Sequence, residues 1–197
     1  MNNYEYITAG LPELFADAGT DHLPDPEEIV AGIKEQCSLK DTESVDFLLS
    51  SFEPDNLCPE MYSKALGHRE KFIRNYFLFD LRVRNAKARW LNKALERPGE
   101  QDVIHLEEEE RAGEFPEESL VAEVLSTSDL LAREKALDRL YWNKVDEMTL
   151  LEIFSLDIIL AFLVKLQITG RWMRLDPETG KRMLRQLTEN LKNTELI

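Results

Sequence analysis

Histidine, cysteine and clustered carboxylates carry most protein chemistry, and this chain spaces them poorly for it. His22, His68 and His105 stand alone, two of them in segments that read as loops, and no His-Glu-x-x-His or Cys/His cluster offers a metal site. Cys37 and Cys58 form no Cys-x-x-Cys pair and read as reduced thiols. Glu107–Glu110 could offer oxygens to a hard cation, but four consecutive side chains point in all directions and do not converge. There is no Gly-rich phosphate loop and no Gly-x-Ser-x-Gly elbow. Acid pairs for proton transfer exist in any acidic chain, and nothing here singles one out. The expectation is a non-enzymatic protein with no catalytic residue, no cofactor and no metal ligand.

The residues that do stand out are cations. The stretch 79–95, FDLRVRNAKARWLNKAL, holds Arg82, Arg84, Lys87, Arg89 and Lys93 with Asp80 as its only acid, in a chain of net charge −14. Charge alternates in blocks. Residues 1–60 hold 2 basic and 14 acidic residues, a net of −12. Residues 61–97 hold 10 and 3, net +7; residues 98–130 hold 1 and 11, net −10; residues 131–197 hold 11 and 10, net +1. Two explanations stand side by side. The basic block neutralises acidic neighbours of its own chain, or it meets an outside partner. Under the second, Arg82, Arg89 and Lys93 are the partner-binding candidates. The negative field opposes nucleic acid and anionic membranes. The aromatics interleaved with the cations are better explained as the packed side of a helix than as a stacking platform for bases.

Helices must position these groups. Phe72, Tyr76, Phe79, Val83, Ala86, Trp90 and Ala94 advance by three or four, giving one apolar face along a helix over 69–96 that RPGE stops. Arg82, Arg89 and Lys93 fall off that face, where solvent reaches them, and Asp80 and Arg84 form an i, i+4 pair. Asp25-Pro26 and Asp176-Pro177 are cap-and-start signals for helices over 26–37 and 176–192. Further helices are expected at 42–52, from Pro59 to Gly67, at 119–126, at 129–147, and at 150–174 with Thr149 as cap. Residues 4–14 read as a short strand or an extended lead-in. Residues 98–118, rich in like charges, read as a solvated linker. The predicted fold is all-α, with long amphipathic helices in two lobes, 1–97 and 119–197, joined by the acidic linker 98–118. Phe-x-x-Asp recurs at 77–80 and 154–157, a hint of duplication.

The chain of 197 residues, 43% apolar and 31% charged, can bury a core without staples. Its start, MNNYEYITAG, lacks the charged and apolar regions of a signal peptide. The apolar run 150–168 carries Glu152, Asp157 and Lys165, which suits a core helix rather than a membrane span. A cytoplasmic location is expected, with any membrane association indirect.

Three stretches carry a resemblance: MNNYEYITAGLPEL, FIRNYFLFDLRVRNAKARWL and LEIFSLDIILAFLVKLQITGRW. They resemble an uncharacterised bacterial domain family encoded within operons for V/A-type ATPases. That family is in turn similar to the central-stalk component found in both the archaeal and the eukaryotic forms of those enzymes. These stalk proteins carry an acid, then Asn, then Arg on long helices. Asp80, Asn85 and Arg89 match, whereas at the second copy Asp157 matches and Phe162 stands in place of Asn. The stalk proteins are also longer, with three helical lobes. The resemblance implies a non-catalytic adaptor coupling the central stalk to the membrane rotor ring, with stalk and rotor-ring proteins of the V/A-type ATPase as partners. The alternative is a soluble scaffolding or regulatory module unrelated to the ATPase.

Overall fold

A computed structural model describes residues 3–16 and 25–173. Every regular element among them is a helix: α1 (Tyr4–Gly10), α2 (Pro26–Gln36), α3 (Leu39–Ser50), α4 (Pro59–Leu66), α5 (Lys71–Ala94), α6 (Glu107–Arg111), α7 (Glu118–Ser126), α8 (Leu130–Thr149) and α9 (Leu156–Met173), with one 3-10 turn at Pro54–Asn56. The all-α expectation holds. Residues 4–10, read as strand or extended lead-in, are helical, with Ile7 buried in the core. The expected helix 176–192 lies outside the described residues.

Local chemistry sets the boundaries. Asp25 Oδ1 accepts from the Glu27 amide at 3.0 Å, and Pro26 occupies the first helical position of α2. Ser38 starts α3 earlier than the sequence suggested. Its hydroxyl accepts from the Asp41 amide at 3.2 Å and donates to Asp41 Oδ2 at 2.7 Å, a reciprocal cap. Asp129 caps α8 through the amides of Leu131 and Ala132. Helix α5 ends before RPGE in a six-to-one turn. The Arg97 amide reaches Asn92 O at 2.8 Å while Glu96 takes φ 54°. That left-handed position usually belongs to glycine.

The largest correction concerns 150–155. Thr149 is the last residue of α8, and its hydroxyl donates back to Val145 O at 3.0 Å instead of capping a new helix. Residues 150–155 turn, and α9 begins at Leu156 with Asp157 in its first turn.

Helix α5 is the centre of the molecule. Its Phe72, Ile73, Tyr76, Phe77 and Leu81 enter the main core with residues of α1, α2, α3, α4, α8 and α9. Its Phe79 and Val83 enter a second cluster with Val121 and Leu125 of α7 and Leu137 and Leu140 of α8. The first half of α5 is therefore buried on two sides, and the face traced from the sequence spans both, with Phe72 and Tyr76 in the main core and Phe79 and Val83 in the second cluster. The packing crosses the expected division at 98–118, since α5 touches helices on both sides of it.

Candidate functional site

The cations of α5 are mostly engaged within the chain. Arg82, expected to face solvent, is 9% exposed. The segment after α5 folds back over it: Nη1 donates to Glu114 O at 3.1 Å, and Nη2 donates to Glu109 O at 3.1 Å and Gly113 O at 2.8 Å. Its Nε has no hydrogen-bond partner and stands 3.6 Å from Glu109 Oε1. One turn on, Asn85 exchanges two hydrogen bonds with the backbone of Ile104, donating at 2.8 Å and accepting at 3.0 Å. Asn92 Nδ2 donates to Gly99 O at 3.1 Å and Gln101 O at 2.6 Å. Arg89 forks onto Glu100, with Nε and Nη2 each at 3.2 Å from a carboxylate oxygen. Arg89 and His105 together hold the Glu100 carboxyl below its ordinary range, the Arg89 hydrogen bond being the larger cause. Arg82, Asn85, Arg89 and Asn92 form one polar stripe, and it binds residues 98–114 as a strap. The strap includes Glu107–Glu110, which wind into α6 rather than a loop.

Of the three partner-binding candidates, then, Arg82 is buried under the strap, Arg89 is paired with Glu100, and Lys93 is exposed. The structure does not gather them into one open surface. Internal neutralisation accounts for Arg82 and Arg89, whose acids lie in the 98–130 block.

A second polar group sits deeper. Asp80, 5% exposed, receives three donors from three helices. Tyr62 of α4 donates to Oδ2, Arg84 Nε to Oδ2 at 2.8 Å, and Tyr141 of α8 to Oδ1 at 2.8 Å. Burial first, and the Asp80 charge second, push both phenols well above their ordinary pKa, so they remain donors. On α9, Arg171 and the Trp172 indole both bind Asp138 of α8, the indole at 2.6 Å. The Asp80 and Asp138 groups line a cleft of about 350 Å³ between α5, α8 and α9. Among the described residues no group of three or more His, Cys, Asp or Glu side chains is placed to hold a metal ion.

The third feature is apolar and exposed. The turn joining α8 to α9 presents Leu150 (78% exposed), Leu151 (92%), Ile153 (71%) and Phe154 (53%) to solvent. The sequence pattern had put these residues at the start of a core helix. The signal against it was Asp157, an acid that suits the first turn of a helix, inside the apolar run. Glu152 in the same turn is exposed, and it acts on Asp157 at the start of α9. Burial, then Glu152 and Glu70, raise the Asp157 carboxyl above its ordinary pKa. Among the described residues no helix is long and apolar enough to cross a membrane.

No curated protein matches the chain, and no solved structure does. The strap, the apolar turn and all of the cleft lining but Ser51 and Phe52 fall within residues 53–195, which match the model of the family described as "Protein of unknown function (DUF2764)", and the chain belongs to that family.

Proposed function

We propose that this chain is a non-catalytic helical adaptor that holds a partner protein through the turn between α8 and α9. The observation that carries this reading is the cluster of Leu150, Leu151, Ile153 and Phe154, each at least half exposed within five residues. Single exposed apolar residues are ordinary, whereas a contiguous group at the end of a helical hairpin marks an interaction surface. The turn is anchored on both sides. Val145 and Leu156 are buried, and Lys165 of α9 pairs with Asp146 of α8. Such anchoring keeps the ordering cost of binding low.

The partner comes from the resemblance. A chain similar to the central-stalk component of V/A-type ATPases would couple the stalk to the rotor ring. That role asks for a rigid helical body with an adhesive end and no chemistry of its own. The strap on α5 and the Asp80 network supply rigidity by tying residues far apart in sequence, Tyr62 to Tyr141 through Asp80 among them. Any contact with the membrane would run through the partner proteins, from the cytoplasmic side.

Co-purification from native membranes tests the proposal. Tagged full-length protein, washed at low and moderate salt, is expected to bring down stalk proteins of the V/A-type ATPase. Binding through an apolar turn should survive the moderate-salt wash. Recovery of folded, tagged protein without any ATPase component would overturn the ATPase assignment.

A further inference from the structure

The cleft beside Asp80 contains more donors than its own residues use. Tyr76 lines it at 5% exposed, and its hydroxyl makes no hydrogen bond among the described residues. Among the described residues, Arg84 hydrogen-bonds through its Nε alone, to Asp80, and Arg171 through its Nη2 alone, to Asp138. Lys87 stands exposed on the same lining. The acids are in the opposite condition. Both oxygens of Asp80 accept, from Tyr62, Arg84 and Tyr141, and both oxygens of Asp138 accept, from Arg171 and Trp172. Glu134 is the one remaining carboxylate among the described lining residues. A cationic or neutral ligand would find few acceptors here. An anionic one would meet guanidinium N–H groups, an ammonium and a phenol.

We propose that this cleft binds a small molecule through an oxyanion group, a phosphate or a carboxylate, held by Arg84, Arg171 and Lys87 with the Tyr76 hydroxyl donating from the floor. The volume of about 350 Å³ is that of a small-molecule site. Buried hydroxyls normally find a partner, and the open side of this one is the cleft. Burial, and then the Asp80 charge, keep the phenol protonated and thus a donor. The planar guanidinium suits carboxylate and phosphate alike. Pairing with Asp80 and Asp138 fixes both arginines before a ligand arrives, which lowers the cost of binding. The site lies apart from the α8–α9 turn and does not depend on the adaptor reading.

Isothermal titration of the full chain tests this with two probes, inorganic phosphate and succinate, each against chloride at equal ionic strength. Saturable one-site binding of either probe is expected at millimolar concentrations. Phosphate alone would assign a phosphate group and succinate alone a carboxylate. Tyr76→Phe removes one oxygen and should weaken binding about tenfold or more, the worth of a hydrogen bond to a charged group. Lys87→Gln, an exposed change that leaves the core untouched, should weaken it as well. Glu134→Gln should tighten it by removing a like charge. Absence of saturable binding above the chloride control for both probes would overturn the proposal. So would binding that is unchanged in the folded Lys87→Gln and Tyr76→Phe proteins.

Discussion

Replacing Arg82 by Ala should release the strap. The side chain is buried and makes three hydrogen bonds to carbonyls of Glu109, Gly113 and Glu114, with Glu109 also at ion-pair distance. A hydrogen bond involving a charged group contributes about 1.5–3 kcal/mol, so three would sum to about 4.5–9 kcal/mol if additive and wholly buried. They are neither. Gly113 and Glu114 are exposed, so water replaces the guanidinium at those carbonyls once the strap loosens. The Glu109 contacts and the packing of the guanidinium on Phe115, 5.8 Å to its ring centroid, are lost with less compensation. A net loss of about 3 kcal/mol follows, near the low end for breaking a buried charge pair. With a urea m-value of about 2 kcal/mol per molar, the denaturation midpoint would fall by about 1.5 M. Arg82→Lys should not rescue it, because a single ammonium nitrogen cannot stand at both the Nη1 and Nη2 positions from which the guanidinium reaches these carbonyls. Circular dichroism gives the midpoint. Hydrogen exchange gives the location, with faster exchange across 98–114 and little change in α2 and α3. An Arg82→Ala protein with the parental midpoint and parental protection over 98–114 would refute the reasoning.

Four other outcomes follow from the same contacts. Asp80→Ala removes the acceptor shared by Tyr62, Arg84 and Tyr141 and should cost about 3–5 kcal/mol in chemical denaturation. Trp90→Ala should cost about 2 kcal/mol, below the full truncation range, because the ring is half-buried under Arg133 rather than enclosed. Glu96→Gly should raise stability by about 0.5–1 kcal/mol, since Glu96 holds a left-handed φ of 54° in the turn that ends α5. His68 stacks on Phe47 and accepts from the Glu70 amide, and burial, then Arg69, lower its pKa below 6.5. The unfolded chain therefore binds this proton more readily. The His68 contribution is complete above the unfolded value of 6.5 and is lost as pH falls from there through the lower folded pKa. Midpoints measured across that window should decline more steeply for the parent than for His68→Asn.

The helices were legible where caps and periodicity agreed. Asp25-Pro26 marked α2, and Phe72, Tyr76, Phe79 and Val83 marked a buried face of α5. Ile73, Phe77 and Leu81 were equally apolar, but a single-face reading of a helix that is packed on two sides leaves them out. Helix α9 was misplaced at its start because an exposed apolar turn and a buried apolar helix have the same composition. Only Asp157, an acid in the first turn of α9, separates them, and one residue is a short signal. The strap was illegible for a different reason. Asn85 and Asn92 bind backbone carbonyls, and a backbone carries no sequence signal for its partner. The charge blocks did foreshadow it, since the positive block at 61–97 and the negative block at 98–130 meet in the Arg82–Glu109 and Arg89–Glu100 pairs. The Asp80–Arg84 pair was visible as an i, i+4 spacing, while the two phenols that complete it lie 18 and 61 residues away.

The adaptor account rests on the turn between α8 and α9, and the double variant Leu151→Glu with Phe154→Glu tests it most directly. Both side chains are at least half exposed, so the variant should keep its stability within about 0.5 kcal/mol of the parent. The measurement is the amount of V/A-type ATPase stalk proteins recovered per folded, tagged chain from native membranes. The account predicts clear recovery with the parent and loss of at least about tenfold with the variant, the factor that 1.4 kcal/mol of binding represents. Equal recovery by the two proteins, or none by the parent, would contradict it.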